Sequence, residues 1–565
     1  MTAHTRRPNL DKPWLKQYPP NTPPEIDLDV YSSIADIFHE SVEKYTTLTA
    51  YRNMGTSITY GELGRQAAAF GAWCLSEGKL EKGDRIAIMM PNLLQYPIAV
   101  FGALSAGLVV VNTNPLYTDR ELEHQLSDSG ARAIVVVEAF AHTLAAVIDR
   151  TEVETVITTK IGDMFPFPKS TIVNFVTRYV RKMVPPFSLP GAVSFRNVLA
   201  RGAGLTPVRV ELDHDDIAFL QYTGGTTGVA KGAMLSHGNL VANVMQATAW
   251  ICGGSNAPRE GGEVIITALP LYHIFALTAN CLTFMRLGAD NVLITNPRDL
   301  PGFVKTLKRT RFTAITGVNT LFNALMHTDG FTDIDFSHIK LVLGGGMAVQ
   351  ESVAARWKEI TGSTLVEAYG LTETSPAACM NPPDLPEFNG SIGLPISSTD
   401  ASIRDENNQA LGFNEPGELC IRGPQVMKGY WQRPEETAGT IDAEGWLHTG
   451  DVAEMDEQGF VRIVDRLKDM ILVSGFNVYP NEVESVIAAM PGVLEVGAIG
   501  VPDEYSGEAV KVIVVKKDPA LTEEDIKAWC KEELTGYKRP RIIQFADELP
   551  KTNVGKILRR ELRDV

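Results

Sequence analysis

Short β-branched runs alternate with helix-patterned stretches through most of the first 460 residues, and that alternation narrows the fold before any motif is considered. Ala133–Val137 (AIVVV), Val264–Ala268 (VIITA), Asn291–Ile294 (NVLI) and Leu341–Leu343 are continuous apolar runs. A strand that is apolar on both faces is buried on both faces, as parallel strands covered by crossover helices are. A body of layered α/β subdomains follows. Near Gly412–Gly423 the texture changes to turn residues and short strands (GFNEPGELCIRG), which predicts a small β subdomain.

A chain of 565 residues is too long for one core. Asp465–Asp469 (DRLKD) puts four charges between the apolar runs FVRIV and MILV, which reads as an exposed connector. Beyond it lie further strands (Val496–Val501, Ala509–Val515) and a helix at Thr522–Leu534, enough for a small α+β unit. The expected organisation is a large N-terminal body over 1–464, a hinge over 465–469, and a small mobile cap over 470–565. Ile86–Thr118 carries no charge, but Pro91, Pro97 and Pro115 interrupt it. Its longest apolar piece, Pro97–Val111, falls short of the roughly 20 residues of a spanning helix, so it reads as buried α/β core.

The net charge of −16 disfavours nucleic acid as a partner, because an acidic surface repels polyanions at long range. Six cysteines lie far apart without a CxxC pair, and no two histidines are closer than His327 and His338. That spacing argues against a disulfide framework and against a zinc helix, and predicts a reducing compartment. No apolar run follows the basic residues of the N-terminus, so no signal peptide is visible and a cytoplasmic location is expected.

The segment Tyr222–Gly232 (YTGGTTGVAKG) follows the apolar strand IAFLQ and leads into the helix start LSHGNL. Gly224, Gly225 and Gly228 let backbone N–H groups turn toward an anion. Thr223, Thr226, Thr227 and Lys231 add hydroxyls and a charge, the make-up of a triphosphate cradle. A plain strand-to-helix turn is the other reading of such a stretch. It is not a Walker A loop, since Ala230 precedes and Gly232 follows Lys231.

The loop resembles the signature of the adenylate-forming superfamily, and further motifs of that family stand in order. They are Gly344–Met347, Tyr369–Glu373 (YGLTE), Gly390–Gly393, Gly445–Asp451 (GWLHTGD), DRLKD and Pro550–Lys556 (PKTNVGK). Within the superfamily the chain is most similar to bacterial long-chain fatty-acid–CoA ligases, through PLYHIFAL, ITNPRDLPG and VSGFNVYPNEVE. The resemblance implies activation of a fatty acid by ATP and Mg²⁺ as an acyl-adenylate, then transfer to coenzyme A. It implies Lys556 as the catalytic lysine at carboxylate and α-phosphate, Glu373 as the magnesium contact and Thr372 at the α-phosphate. It implies Tyr369 stacked on adenine, with Gly345, Gly346, Met347 and Gly370 close to the base. Asp451 would accept from the ribose hydroxyls with help from Arg466, His273 would border the acyl and CoA channels, and Lys468 would be the pivot of the cap. Other relatives carry lysines where this chain has Leu472 and Ser474, so no role for a lysine there carries over.

Lys160–Lys182 holds five basic residues against one acidic, and Ile172, Phe175, Val176, Tyr179 and Met183 fall on one helical stripe. Two readings fit: peripheral contact of 165–186 with an anionic membrane, or a helix covering the protein's own core. A medium-chain or aryl acid–CoA ligase, and a non-catalytic fatty-acid or nucleotide binder, are the alternatives to a long-chain ligase. A peptide-synthetase module is disfavoured because no carrier domain follows Val565. The oligomeric state is not legible.

Overall fold

The computed structural model describes residues 12–207, 209–223, 230–474, 476–503, 505–552 and 555–563. Two large sheets form its bulk. The seven-stranded one runs Val193–Ser194, Thr155–Thr159, Ala131–Val137, Arg85–Met89, Val109–Thr113, Ile217–Thr223, Lys231–Ser236, and only its last pair is antiparallel. The nine-stranded one is parallel through Val366–Gly370, Leu341–Gly344, Ala314–Gly317, Val264–Thr267, Asp290–Leu293 and Thr49–Asn53, with antiparallel strands at both edges.

The continuous apolar runs are buried on both faces for the expected reason. In Ala131–Val137, Ala133, Val135 and Val137 enter one apolar cluster while Ile134 and Val136 enter another on the opposite side. The uncharged stretch after Ile86 forms a strand–helix–strand unit, Arg85–Met89, Gln95–Ser105 and Val109–Thr113, in which the strands pair in parallel. Its 11-residue helix is about 16 Å long, half a hydrocarbon core. No helix among the described residues is long and apolar enough to cross a membrane. Helix starts follow local chemistry: Thr59 with Glu62, Thr118 with Glu121 and Ser236 with Asn239 each form a reciprocal capping box.

A four-stranded antiparallel sheet, Asp400–Arg404, Gly417–Arg422, Leu447–Met455, Val461–Arg466, occupies the region where the turn-rich texture begins. The C-terminal sheet joins Ile471–Val473, Phe476–Val478, Val493–Asp503, Gly507–Lys516 and Ile542–Ala546. Helices Pro480–Ala488 and Glu523–Glu533 cover it, around a core of its own that includes Val478, Val483, Val512 and Ile526.

The connector departs from its exposed reading. Leu467 and Lys468 do face solvent, but Asp465 and Arg466 finish a strand, and Asp465 is fully buried. Its carboxylate accepts from the N–H groups of Arg466 (2.7 Å) and Asn481 (2.8 Å) and pairs with Arg559 at 3.2 Å. Arg559 also reaches Glu484 at 2.8 Å and Asp469 at 3.4 Å. Charge density along the chain suggests solvation only while the neutralising partner is out of view, and here the partner is 94 residues away.

Candidate active site

The site lies where the last strands of the nine-stranded sheet, the four-stranded sheet and the C-terminal unit meet. Tyr369 ends strand Val366–Gly370, and its hydroxyl donates to Asp451 at 2.6 Å. Arg466 pairs with the other Asp451 oxygen at 3.1 Å, and Asp451 is almost wholly buried. A bulge carries Asp451 there: between Glu418 and Cys420 the facing strand advances from Val452 to His448, so Thr449, Gly450 and Asp451 are thrown out of register. Thr449 anchors the bulge by donating to the Leu419 carbonyl at 2.7 Å, and Gly450 takes the positive φ it needs.

Glycine is required beside the tyrosine. A Cβ on Gly370 would sit 1.9 Å from the Pro376 carbonyl oxygen, and one on Gly345 would press on the Ala368 carbonyl at 3.0 Å and the Phe275 ring at 3.1 Å. Gly346 has a positive φ of 76° and is exposed, while Met347 leans on the main apolar core. At Gly345 and Gly370 the missing side chain lets the protein's own backbone pack closely, whereas exposed Gly346 leaves open backbone that a flat group such as adenine could approach.

Thr372 and Glu373 lie in a single turn, Thr372–Thr374. Glu373 accepts from the Tyr430 hydroxyl at 2.6 Å, and among the described residues no lysine or arginine pairs with it. A half-buried carboxylate without a basic partner is an oxygen donor suited to a hard cation, so the residues present fit Mg²⁺ shared with phosphates. Thr223 ends its strand opposite Lys231. The cradle residues Gly224, Gly225, Thr226, Thr227 and Gly228 lie outside the described residues. Lys231 binds Glu436 at 2.7 Å, and its ammonium stands 4.3 Å from the centre of the Tyr430 ring.

His273 sits on a loop clamped from the other large sheet. Asn92 accepts from the Leu271 N–H at 2.8 Å, Tyr96 donates to the Leu271 carbonyl at 2.7 Å, and Gln221 donates to the Tyr272 carbonyl at 2.8 Å. The His273 Nδ1 atom accepts from the Phe275 N–H at 3.3 Å. Burial, with the nearby Lys556 ammonium, holds the imidazole down to about 4, so it is neutral at physiological pH.

Lys556 arrives from the C-terminal unit. Thr320 of the body donates to the Gly555 carbonyl at 3.0 Å, and Thr552 holds the Lys556 N–H at 3.0 Å. Burial first, then the Arg466 guanidinium, pushes the Lys556 ammonium down to about 8, with Asp451 opposing. Lys468 stays on the surface, away from this cluster.

Tyr430, Glu436, Thr320 and Arg559 were not singled out from the sequence, and no local signal marks them. Glu367 was missed as well: burial pushes its carboxyl up to about 8, two residues before Tyr369. Replacing Tyr430 with phenylalanine removes a hydrogen bond to a charged oxygen, which contributes about 1.5–3 kcal/mol. The expected result is a roughly tenfold higher Mg²⁺ concentration for half-maximal adenylation. An unchanged Mg²⁺ requirement would reduce Tyr430 to packing.

A model of the AMP-binding enzyme family matches residues 38–431, and one of the AMP-binding enzyme C-terminal domain matches 482–556. The chain is 58% identical to a long-chain-fatty-acid–CoA ligase from Escherichia coli O157:H7 over 98% of both chains. It is 37% identical to one from Bacillus subtilis over 98% of this chain and 97% of that one. Among solved structures it resembles ATP-bound MatB from Rhodopseudomonas palustris (TM-score 0.80, 28% identity, 94% and 98% covered). The fold also matches the anthranilate CoA ligase AuaEII in complex with anthranoyl-AMP (TM-score 0.84, 24% identity, 95% and 98% covered).

Proposed function

The chain belongs to the AMP-binding enzyme family, and on that premise we propose that it is an ATP-dependent long-chain fatty acid–CoA ligase. The acid's carboxylate attacks the α-phosphorus of ATP, giving acyl-adenylate and pyrophosphate. The coenzyme A sulfur then attacks the acyl carbon, giving acyl-CoA and AMP. The observation that carries the reading is the near-full-length identity of 58% to a long-chain ligase. Acid–CoA ligases share a nucleotide site and differ in the acyl tunnel, so identity across the whole chain bears on the acid as well.

Each residue's role follows from its surroundings. Asp451, held by Tyr369 and Arg466, accepts from the ribose hydroxyls. Exposed Gly346 leaves open backbone for the base, with Gly345, Met347 and Gly370 packed beside it. Glu373 holds Mg²⁺, which neutralises phosphate charge when bound. Thr223, Lys231, Thr372 and the glycine loop 224–228 hold the phosphates, so Lys231 exchanges Glu436 for the triphosphate. Lys556 bridges carboxylate and α-phosphate as charge grows there. Neutral His273 is no proton acceptor from the thiol; it shapes the junction of the acyl and CoA channels.

The body over 1–464 and the cap over 470–565 turn about 465–469, with Lys468 as pivot, so that Lys556 withdraws for the thioester step. Leaving the closed arrangement requires the Thr320–Gly555 bond to break. The lowered ammonium of Lys556 sets a pH limb. It is a cation below its value and loses that charge above it, so kcat/KM for adenylation is expected to fall as pH rises through about 8. A profile flat to pH 10 would remove Lys556 from the charged role.

ATP–pyrophosphate exchange with acids of increasing length tests the substrate. Exchange rising from octanoate to palmitate is expected; preference for benzoate or coumarate would overturn the long-chain reading.

Peripheral contact of 165–186 with an anionic membrane on the cytoplasmic face belongs to the same proposal. Phe167 (85%), Phe175 (57%) and Tyr179 (63%) are solvent-exposed, as are Ile172, Val180 and Met183, and Arg181 and Lys182 stand beside them. Of the stripe, Ile172, Phe175, Tyr179 and Met183 therefore face solvent rather than the core, with Val176 half-buried between them. Changing Phe175 and Tyr179 to serine and Arg181 and Lys182 to glutamate is expected to abolish co-sedimentation with phosphatidylglycerol vesicles. Equal sedimentation of variant and parent would sink the idea.

A further inference from the structure

Behind the Asp451 bulge, three side chains of different chemistry converge from two paired strands. Glu418 and Cys420 are two apart on strand Gly417–Arg422, and Cys420 stands directly opposite His448 on strand Leu447–Met455. The His448 Nδ1 atom lies 2.7 Å from a Glu418 oxygen and 3.5 Å from the Cys420 sulfur, and the three donor atoms all fall within 4.8 Å of one another. On the far side of the ring, Nε2 is 3.8 Å from the Asp442 carboxylate. Asp442 is itself held by the N–H groups of Glu444 and Trp446, both at 2.9 Å, and by Arg404 at 3.2 Å. Cys420 is buried, while Glu418 and His448 are partly exposed and open the cluster to solvent.

We propose that Glu418, Cys420 and His448 form a binding site for a divalent cation of borderline softness, best met by Zn²⁺, with water in the fourth position. Two donors spaced by one residue on a strand plus one cross-strand donor converge on a single point. A thiolate–imidazole–carboxylate set suits Zn²⁺ rather than Mg²⁺. The carboxylate behind the other ring nitrogen is the outer partner that orients a ligating histidine. Without the cation, burial and Glu418 push the thiol up to about 12, so it is protonated. On binding, the thiol proton goes to solvent. With the cation on Nδ1, the ring proton lies on Nε2, facing Asp442. Thiolate and Glu418 then balance the two positive charges, while Arg404 stays paired with Asp442.

The site reaches the nucleotide residues through Glu418, whose other oxygen accepts from the Gly450 N–H at 3.0 Å inside the bulge that presents Asp451. Turning Glu418 to a cation weakens that brace. This consequence rests on the proposed role of Asp451 at the ribose; the cation site does not.

Co²⁺ titrated into the chelator-treated full-length protein tests the site. A thiolate-to-cobalt absorption band is expected in the near ultraviolet, with tetrahedral visible bands, displaced by one equivalent of Zn²⁺. The band should vanish in Cys420→Ser and persist in the control Cys252→Ser. Asp442→Asn should bind Co²⁺ about 10–100-fold more weakly. Absence of the band in the parent, or its survival in Cys420→Ser, would overturn the site. Should Cys420→Ser fail to fold, Glu418→Gln and His448→Asn replace it, and unchanged Co²⁺ affinity in both overturns the proposal. Adenosine, which has no phosphates to chelate the cation, is expected to bind more weakly to the Zn²⁺-loaded parent, and unchanged binding overturns the coupling. None of these readouts requires acyl-CoA formation, so they fail separately from the ligase reading.

Discussion

Replacing Lys556 with alanine is expected to slow acyl-adenylate formation by about 10²–10³-fold, the cost of deleting one preorganised group at a developing charge. The ammonium sits in a desolvated pocket with Arg466 and Asp451, where a charge acts on its neighbours more strongly than in water. ATP binding should remain measurable, because the proposed contacts of Asp451 to ribose, Tyr369 to base and Glu373 to metal do not involve Lys556. The thioester half-reaction started from pre-formed acyl-adenylate should also survive if the cap turns as proposed and withdraws Lys556 before that step. Pyrophosphate exchange and single-turnover thioester formation separate the two steps. Equal loss in both would mean that the lysine supports the fold of the cap rather than the first chemical step.

Asp451→Asn is expected to weaken ATP binding by about 100-fold, from two hydrogen bonds to a charged acceptor at about 1.5–3 kcal/mol each, partly replaced by the amide. The substitution also leaves the Tyr369 hydroxyl and the Arg466 guanidinium without their anion. A nucleotide lacking both ribose hydroxyls supplies the control. The parent should prefer ATP over it strongly, and the variant should discriminate weakly. Retained discrimination would move the ribose elsewhere. Asp451 also raises the Lys556 ammonium, so the descending pH limb should shift below about 8 in the variant.

The two readings of the basic amphipathic segment could not be separated by periodicity, because a stripe facing water and a stripe facing a core have the same spacing. Packing shows that Phe175 and Tyr179 touch each other with ring centres 5.2 Å apart and face out, while membrane contact stays part of the proposal. The connector shows the converse, since four charges in five residues read as solvated while Arg559 lies folded against Asp465 and Asp469. The glycine-rich loop was the most informative stretch of sequence, yet its central residues, 224–228, lie outside the described part of the chain. Beside it, Thr223 stands opposite Lys231 in the strand pair, and Lys231 binds Glu436.

The layered α/β body, the turn-rich β region and the nucleotide motifs are all legible in local sequence. Burial on both faces, turn chemistry and glycine spacing are all written within a few residues of one another. Tertiary structure alone decided which partners those motifs meet. Tyr430 reaches Glu373 across 57 residues, Cys420 faces His448 across 28, and Arg559 reaches Asp465 across 94. Such contacts depend on strand register, a two-residue bulge and the docking of one sheet on another, so no local pattern carries them.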